Sequence, residues 1–440
     1  MQQLTQNISI TYQQFYKKDD KFLIKDFVKP EVLAPAGDWE RLVSAVDFGA
    51  DAVYIGGSMF GMRTSPSNFS DEELKKAVAF AHSKSVKVYL TCNTVPRNNE
   101  VDRLPEFLRN AEDSGVDALI ISDIGTLSLA KKHAPKTEIH ISTQAGITNY
   151  ATANAFYEMG AKRVVLAREL SMEDIKELRA KTPKELDIEC FVHGAMCVSF
   201  SGRCLLSNYL VGRDSNRGDC AQPCRWKYHV VEETRPGVYF PIEQDDKGTY
   251  IMNARDMCMI EHIPELVDAG VTSLKIEGRA KSAYYTAAVT NAYRAAVDEF
   301  MKNPTDDFKV SDWISEEMRK VSYREYCTGF YFGSPIENAE IYYEGGYRRE
   351  WDVVAVCEKW ENGELFAVQR NKFLDGDELE VVEPGCKPFK LTVIGLKNEA
   401  GELIESAPHA TMKLSFLCER EVKSGAIIRK QKEEPKRVII

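Results

Sequence analysis

Between Glu31 and Phe300, short runs rich in branched aliphatic residues alternate with amphipathic stretches, and no other feature constrains the fold as strongly. EVLAPAG reads as a strand ending at Pro35 and Gly37, and DWERLVSAVDFG follows as a helix closed by Gly49. The unit then recurs as DAVYIGG, VKVYLTCNT, VDALIISD, TEIHISTQ, AKRVVLAREL and LDIECFVHG, each separated from the next by a helical pattern such as EELKKAVAFAHSKS. An eighth strand, VTSLKIEGR at 271–279, follows the helix IEHIPELVDAG and precedes the long helix SAYYTAAVTNAYRAAVDEFM. Strands of this kind suit burial on both faces of a parallel sheet. The helices end in Gly or a Pro-containing turn, as stop signals should. Eight such units close into an α/β fold, the (β/α)8 barrel of TIM type. An open doubly wound sheet is the runner-up, but no Gly-x-Gly-x-x-Gly follows the first strand, and Gly56-Gly57 comes after the second.

At 440 residues the chain exceeds one ordinary core. The pattern divides it into an extension (1–29), the barrel (30–300) carrying a cysteine-rich insertion (194–270), a linker and inter-domain strip (301–349), and a C-terminal domain (350–440). From Trp351, apolar and polar residues alternate between turn signals over about six short strands, which implies a small β-barrel. A net charge of −10 argues against a surface that binds nucleic acid everywhere, though it leaves room for a local basic patch. The N-terminus is polar and no apolar run reaches the roughly 18 residues of a spanning helix. A cytoplasmic location without membrane contact is therefore expected.

In a barrel of this type, polar residues at the C-terminal ends of strands face one mouth. Asn93, Asp123, Gln144, Asn149, Arg168, His193, Glu277 and Arg279 lie at such ends. Each alone has an ordinary alternative: Asn93 or Asp123 can cap a helix, and Arg168 can pair with Glu169. Gln144, His193, Glu277 and Arg279 are the first choices for chemistry, with Asn93, Asn149 and Arg168 as substrate-binding candidates.

The insertion holds Cys197, Cys204, Cys220 and Cys224, spaced C-x6-C-x15-C-x3-C. The spacing matches neither a zinc-ribbon knuckle nor a bacterial ferredoxin run. It fits a [4Fe–4S] cluster, a zinc site with four thiolates, or unligated thiols. Cys258 is a fifth candidate, with a buried thiol as its plain reading. Arg203, Arg213, Arg217, Arg225 and Lys227 outnumber Asp214 and Asp219, which favours an anionic ligand such as a carboxylate or phosphate. In the inter-domain strip, Tyr342, Tyr343 and Tyr347 can stack on bases beside Arg348 and Arg349, or pack between domains.

The run HGAMCVSFSGRCLLSNYLVGRDSNRGDCAQPCRWKY, together with EVLAPAG, GADAVYIGG, CNT, ISTQAGITN and SLKIEGRAKSAYY, resembles the peptidase U32 family over roughly residues 30–335, with a tail like that of its longer members. The resemblance implies a [4Fe–4S] cluster on Cys197, Cys204, Cys220 and Cys224, with Cys258 as a substitute ligand. It further implies prephenate-dependent hydroxylation of the wobble uridine of tRNA to 5-hydroxyuridine, the branch that length and tail resemble most. Arg168, Arg203 and Arg279 would hold a small carboxylate or phosphate, and His193 or Glu277 would handle a proton. Expected partners are tRNA and the carboxylate co-substrate, with a homo-oligomer or a related U32 subunit as assembly alternatives. A collagenase-like peptidase and a zinc-stabilised RNA-binding or structural protein are the competing readings. Proteolysis has little chemical support: H-E-x-x-H is absent, and Cys197 with His193 is the one Cys–His pairing near the centre.

Overall fold

The computed structural model describes residues 28–61, 68–197, 204–213, 215, 219–226, 229–231, 239–241, 255–305, 307–333 and 347–432. Eight parallel strands form the first domain: β1 (Glu31–Pro35), β2 (Ala52–Gly56), β3 (Lys87–Cys92), β4 (Ala118–Ile121), β5 (Glu138–Ile141), β6 (Arg163–Val165), β7 (Asp187–Ala195) and β8 (Ser273–Ile276). Each pairs with its sequence neighbour, and β8 pairs with both β7 (Ser273 opposite Glu189) and β1 (Ser273 opposite Glu31). That double pairing closes the sheet, as the alternation requires.

The outer layer contains α1 (Trp39–Asp47), α2 (Asp71–Ser83), α3 (Leu104–Asp113), α4 (Ile124–His133), α5 (Tyr150–Glu158), α6 (Met172–Ala180), α7 (Ile263–Asp268) and α8 (Ala283–Lys302). Their starts follow from local chemistry. Ser70 and Glu73 make a reciprocal capping box at α2, and Ser171 with Asp174 does the same at α6. Asp123 and Asn149 accept the amides of Thr126 and Thr152 at 2.8 and 2.9 Å, so both cap helices. No helix among the described residues is long and apolar enough to cross a membrane.

Inside the barrel, one wall is apolar: Leu33, Ala52, Tyr54, Tyr89, Ala118 and Ile120 pack together. The other is ionic. Arg163 meets Glu31 at 2.6 Å and Glu189 at 3.2 Å, while Lys275 donates to Glu189 at 2.6 Å. Tyr89 and Ser273 complete the ring by donating to Glu31 at 2.6 and 2.9 Å. Burial alone would raise the pKa of Glu189, yet Lys275 and Arg163 outweigh it and hold the carboxyl below its usual range.

The C-terminal domain is a seven-stranded antiparallel sheet of β9 (Trp351–Glu361), β10 (Glu364–Gln369), β11 (Glu378–Val382), β12 (Phe389–Thr392), β13 (Lys397–Asn398), β14 (Lys413–Leu417) and β15 (Ile427–Gln431). Its order is β12-β11-β15-β9-β10-β14-β13, and its end strands do not pair among the described residues. The expected small barrel is thus a half-barrel here. It docks on α8, which lies between the two domains and therefore buries thirteen of its twenty residues. Fully buried Arg429 joins Glu380 of its own sheet and Glu317 of the helix Asp312–Lys320, each at 2.6 Å, so the second bond ties the C-terminal domain to the rest of the chain.

Candidate active site at the barrel mouth

A cavity of about 440 Å³ lies over the C-terminal ends of the barrel strands. Its wall includes Asn93, Gln144, Arg168, Glu277 and Arg279 from the strand ends, and Cys197, Cys204, Cys220 and Cys224 from the segment after β7. Residues far apart in sequence thus meet at one mouth, as the strand-end argument requires.

The side chains are held by directional contacts. Arg168 donates to the Ala195 carbonyl at 2.6 Å, lies 3.5 Å from the Glu277 carboxylate, and stacks over the Phe191 ring at 3.8 Å. Arg279 is 7 % exposed and donates to Thr91 Oγ1 at 3.0 Å. Gln144 sits in a short 3-10 turn after β5, where its buried Oε1 has no hydrogen-bond partner. Such an orphaned acceptor, facing a cavity, suits a ligand N–H or O–H.

His193 departs from expectation. A β-bulge sets Phe191 opposite Lys275 and His193 opposite Ile276, which leaves Val192 as the extra residue. One added residue reverses the facing of everything beyond it. His193 therefore points to the helix layer, 1 % exposed, with its ring 5.9, 5.6 and 5.3 Å from those of Tyr285, Tyr293 and Tyr326. Burial lowers its pKa to about 3, so it stays neutral. It does not line the mouth, which removes both the proposed proton carrier and the partner for Cys197.

Cys258 is likewise elsewhere, on the short strand Asp256–Cys258 that runs antiparallel to β7. Burial pushes its thiol up to about 12. Asn149 is occupied as a cap. Arg213 pairs with Asp219 at 2.7 Å, Arg348 with Glu325 at 2.7 Å and Arg349 with Asp352 at 3.4 Å. Tyr347 lies under the Lys281 ammonium at 3.9 Å. Arg203, Arg217, Lys227, Asp214, Tyr342, Tyr343 and the side chain of Arg225 fall outside the described residues.

Sequence reasoning missed Lys275, Thr91, Tyr54 and Phe191, all of which line the cavity. The available signal was the two-residue spacing of Lys275, Glu277 and Arg279, which puts Lys275 on the same strand face as Glu277.

The donor set can be tested against a metal centre. No disulfide joins any of the cysteines, and the four of the insertion border one cavity. The Gln222 amide donates to Cys220 Sγ at 3.3 Å, the kind of bond that supports a ligating thiolate. Among the described residues, however, no three Cys, His, Asp or Glu side chains are gathered closely enough to hold an ion. The four thiols share the wall of one cavity and are of the residue type a thiolate centre uses, without being drawn together into a ligand set.

The model of peptidase family U32 matches residues 37–340, and that of the peptidase family U32 C-terminal domain matches residues 349–429. The chain belongs to peptidase family U32. Among its relatives, tRNA hydroxylation protein P1 of Bacillus subtilis is 36% identical, with 92% of this chain and 95% of that protein aligned. tRNA hydroxylation protein P of Escherichia coli is also 36% identical, over 86% of this chain and 92% of its own length. An uncharacterized protease of Methanocaldococcus jannaschii is 44% identical over 72% of this chain and 76% of its own length. U32 membership makes the chain one of a family of enzymes, several of whose members carry tRNA hydroxylation names.

Proposed function

We propose that this U32 protein is an iron–sulfur enzyme that hydroxylates the wobble uridine of tRNA to 5-hydroxyuridine, with prephenate as the hydroxyl source. The observation that carries the reading is one cavity whose lining includes the four thiols together with Arg168, Arg279 and Lys275. Cys197, Cys204, Cys220 and Cys224 would hold the [4Fe–4S] cluster, with the cysteine-rich insertion as a lid over the mouth. When bound, such a cluster supplies redox-active, Lewis-acidic iron.

The remaining work falls to the chain itself. Arg168 and Arg279 bind a carboxylate or phosphate through planar, multiply donating guanidinium groups. Glu277, 3.5 Å from Arg168, is placed to exchange a proton with a bound substrate. Gln144 offers its orphaned oxygen to a substrate N–H and so orients the base. Asn93 lines the same wall. Arg213, Tyr347, Arg348 and Arg349 are the proposed tRNA contacts outside the cavity, joined by Arg217, which falls outside the described residues; a surface ion pair such as Arg213–Asp219 exchanges readily for phosphate.

The Cys–His form of the peptidase reading gains no support at this cavity. Among the described residues that line the cavity there is no histidine, because the bulge in β7 turns His193 outward. Zinc remains the alternative metal, and metal analysis separates the two. The functional test is nucleoside analysis of tRNA from cells deleted for this gene and for any second family member. Loss of 5-hydroxyuridine and its derivatives is expected, with recovery on re-expression of the wild-type chain but not of Cys220→Ser. Unchanged 5-hydroxyuridine in the deleted cells refutes the assignment.

A further inference from the structure

Below the residues assigned above, the floor of the mouth is formed by a buried lysine with donors to spare. Lys275 is 5 % exposed, lines the cavity, and donates to Glu189 Oε1 at 2.6 Å. An ammonium has three N–H donors. Among the described residues no other acceptor meets this one, whose remaining contacts are the ring faces of Tyr54 at 4.7 Å and Phe191 at 5.5 Å. A buried donor without an acceptor is disfavoured unless a ligand or ordered water completes it.

The surroundings specify what would complete it. Beneath the floor, Arg163 and Lys275 are held by Glu31 and Glu189, with Asp187 at the rim as a further partner of Arg163. Arg279 adds another buried cation on the adjoining wall, where it donates to the Thr91 hydroxyl. The acids that also line the cavity are Glu277, beside Arg168, and Glu169. Tyr54, Ile120, Val165 and Phe191 give the floor apolar walls, which strengthen a charge-assisted hydrogen bond by excluding water.

We propose that Lys275 is a ligand-binding residue that seats a carboxylate of the small co-substrate on the barrel floor, between the Tyr54 and Phe191 rings. Glu189 positions the ammonium through its 2.6 Å hydrogen bond, and Lys275 acts as a fixed ion and not as a nucleophile. The proposal rests on the small-carboxylate reading above and adds a residue and a location to it.

The test uses full-length protein, prepared anaerobically, with prephenate as the probe and equilibrium binding as the readout. Lys275→Met should weaken prephenate binding about 10- to 100-fold, while Lys275→Arg retains most of it. Because Lys275→Met leaves Glu189 without one partner, the double variant Lys275→Met/Glu189→Gln removes both charges together and should show the same loss. Binding of unmodified tRNA should stay within about twofold in each variant. A wild-type chain that binds prephenate and a Lys275→Met or double variant that binds it equally well overturn the floor seat alone. A wild-type chain that binds no prephenate overturns the co-substrate reading and this inference with it. A borohydride-reduced adduct of prephenate on Lys275 would show an amine nucleophile and refute the fixed-ion role.

Discussion

Two adjacent glycines at the end of β2 allow a sharp test of how the mouth is packed. A methyl group built on Gly56 would stand 2.3 Å from Arg279 Nη1 and 2.8 Å from its Cζ, whereas one built on Gly57 meets nothing closer than Leu90 Cδ1 at 3.5 Å. Both backbones accept alanine, since neither has a positive φ. In Gly56→Ala the guanidinium must therefore retreat by about 1 Å, which strains its 3.0 Å bond to Thr91 and displaces it within the cavity. What moves is the tip of a side chain and not backbone, so the cost in stability should be modest, about 1 kcal/mol. The functional cost should be larger, because a 1 Å misplacement of a positioning group lowers turnover by about 100-fold. The assay is formation of 5-hydroxyuridine in tRNA, compared with urea unfolding of the same samples. Gly57→Ala should match the wild type in both. Wild-type turnover in Gly56→Ala, or equal losses in the two variants, would refute the role given to Arg279.

Other expectations follow from buried charges. Replacing Arg429 by Met leaves Glu317 and Glu380 without their fully buried partner and should lower unfolding free energy by about 3–5 kcal/mol, seen as a lower urea midpoint. His193 is neutral in the fold, with a pKa of about 3 against about 6.5 when unfolded. The unfolded chain therefore binds the extra proton first, so this contribution to stability is complete above pH 6.5 and declines as pH falls toward 3. The loss should be on the order of 1 kcal/mol by pH 5.5, and the variant His193→Gln should lack that component of the urea-midpoint profile. Removing the Asn149 cap with Asn149→Ala should cost about 1 kcal/mol of stability while leaving tRNA hydroxylation unchanged.

Much of this molecule is legible in its sequence because strand and helix periods are local. The eight strands, the closing role of VTSLKIEGR and the strand-end positions of Gln144, Arg168, Glu277 and Arg279 all follow from spacing. What eluded spacing depends on register and tertiary pairing. The bulge at Val192 has no mark of its own in ECFVHGA, yet it decides that His193 faces helices and not substrate. Asn149 is polar at a strand-end position for a different reason, since it serves the α5 amides. Lys275 was hidden inside an apolar run, and only the facing Glu189 and Arg163 explain how a barrel interior tolerates it. In the C-terminal domain, alternation identifies the strands but cannot say whether the outer pair meets, and among the described residues it does not.

The claim at the centre of this account is that the cysteines at the mouth hold an iron–sulfur cluster. Iron, sulfide and zinc should be measured on anaerobically purified wild-type protein and on Cys220→Ser and Cys258→Ser. A brown wild-type protein with about four iron and four sulfide per chain is expected, lost in Cys220→Ser and kept in Cys258→Ser. A colourless wild-type protein carrying one zinc and no sulfide would contradict it.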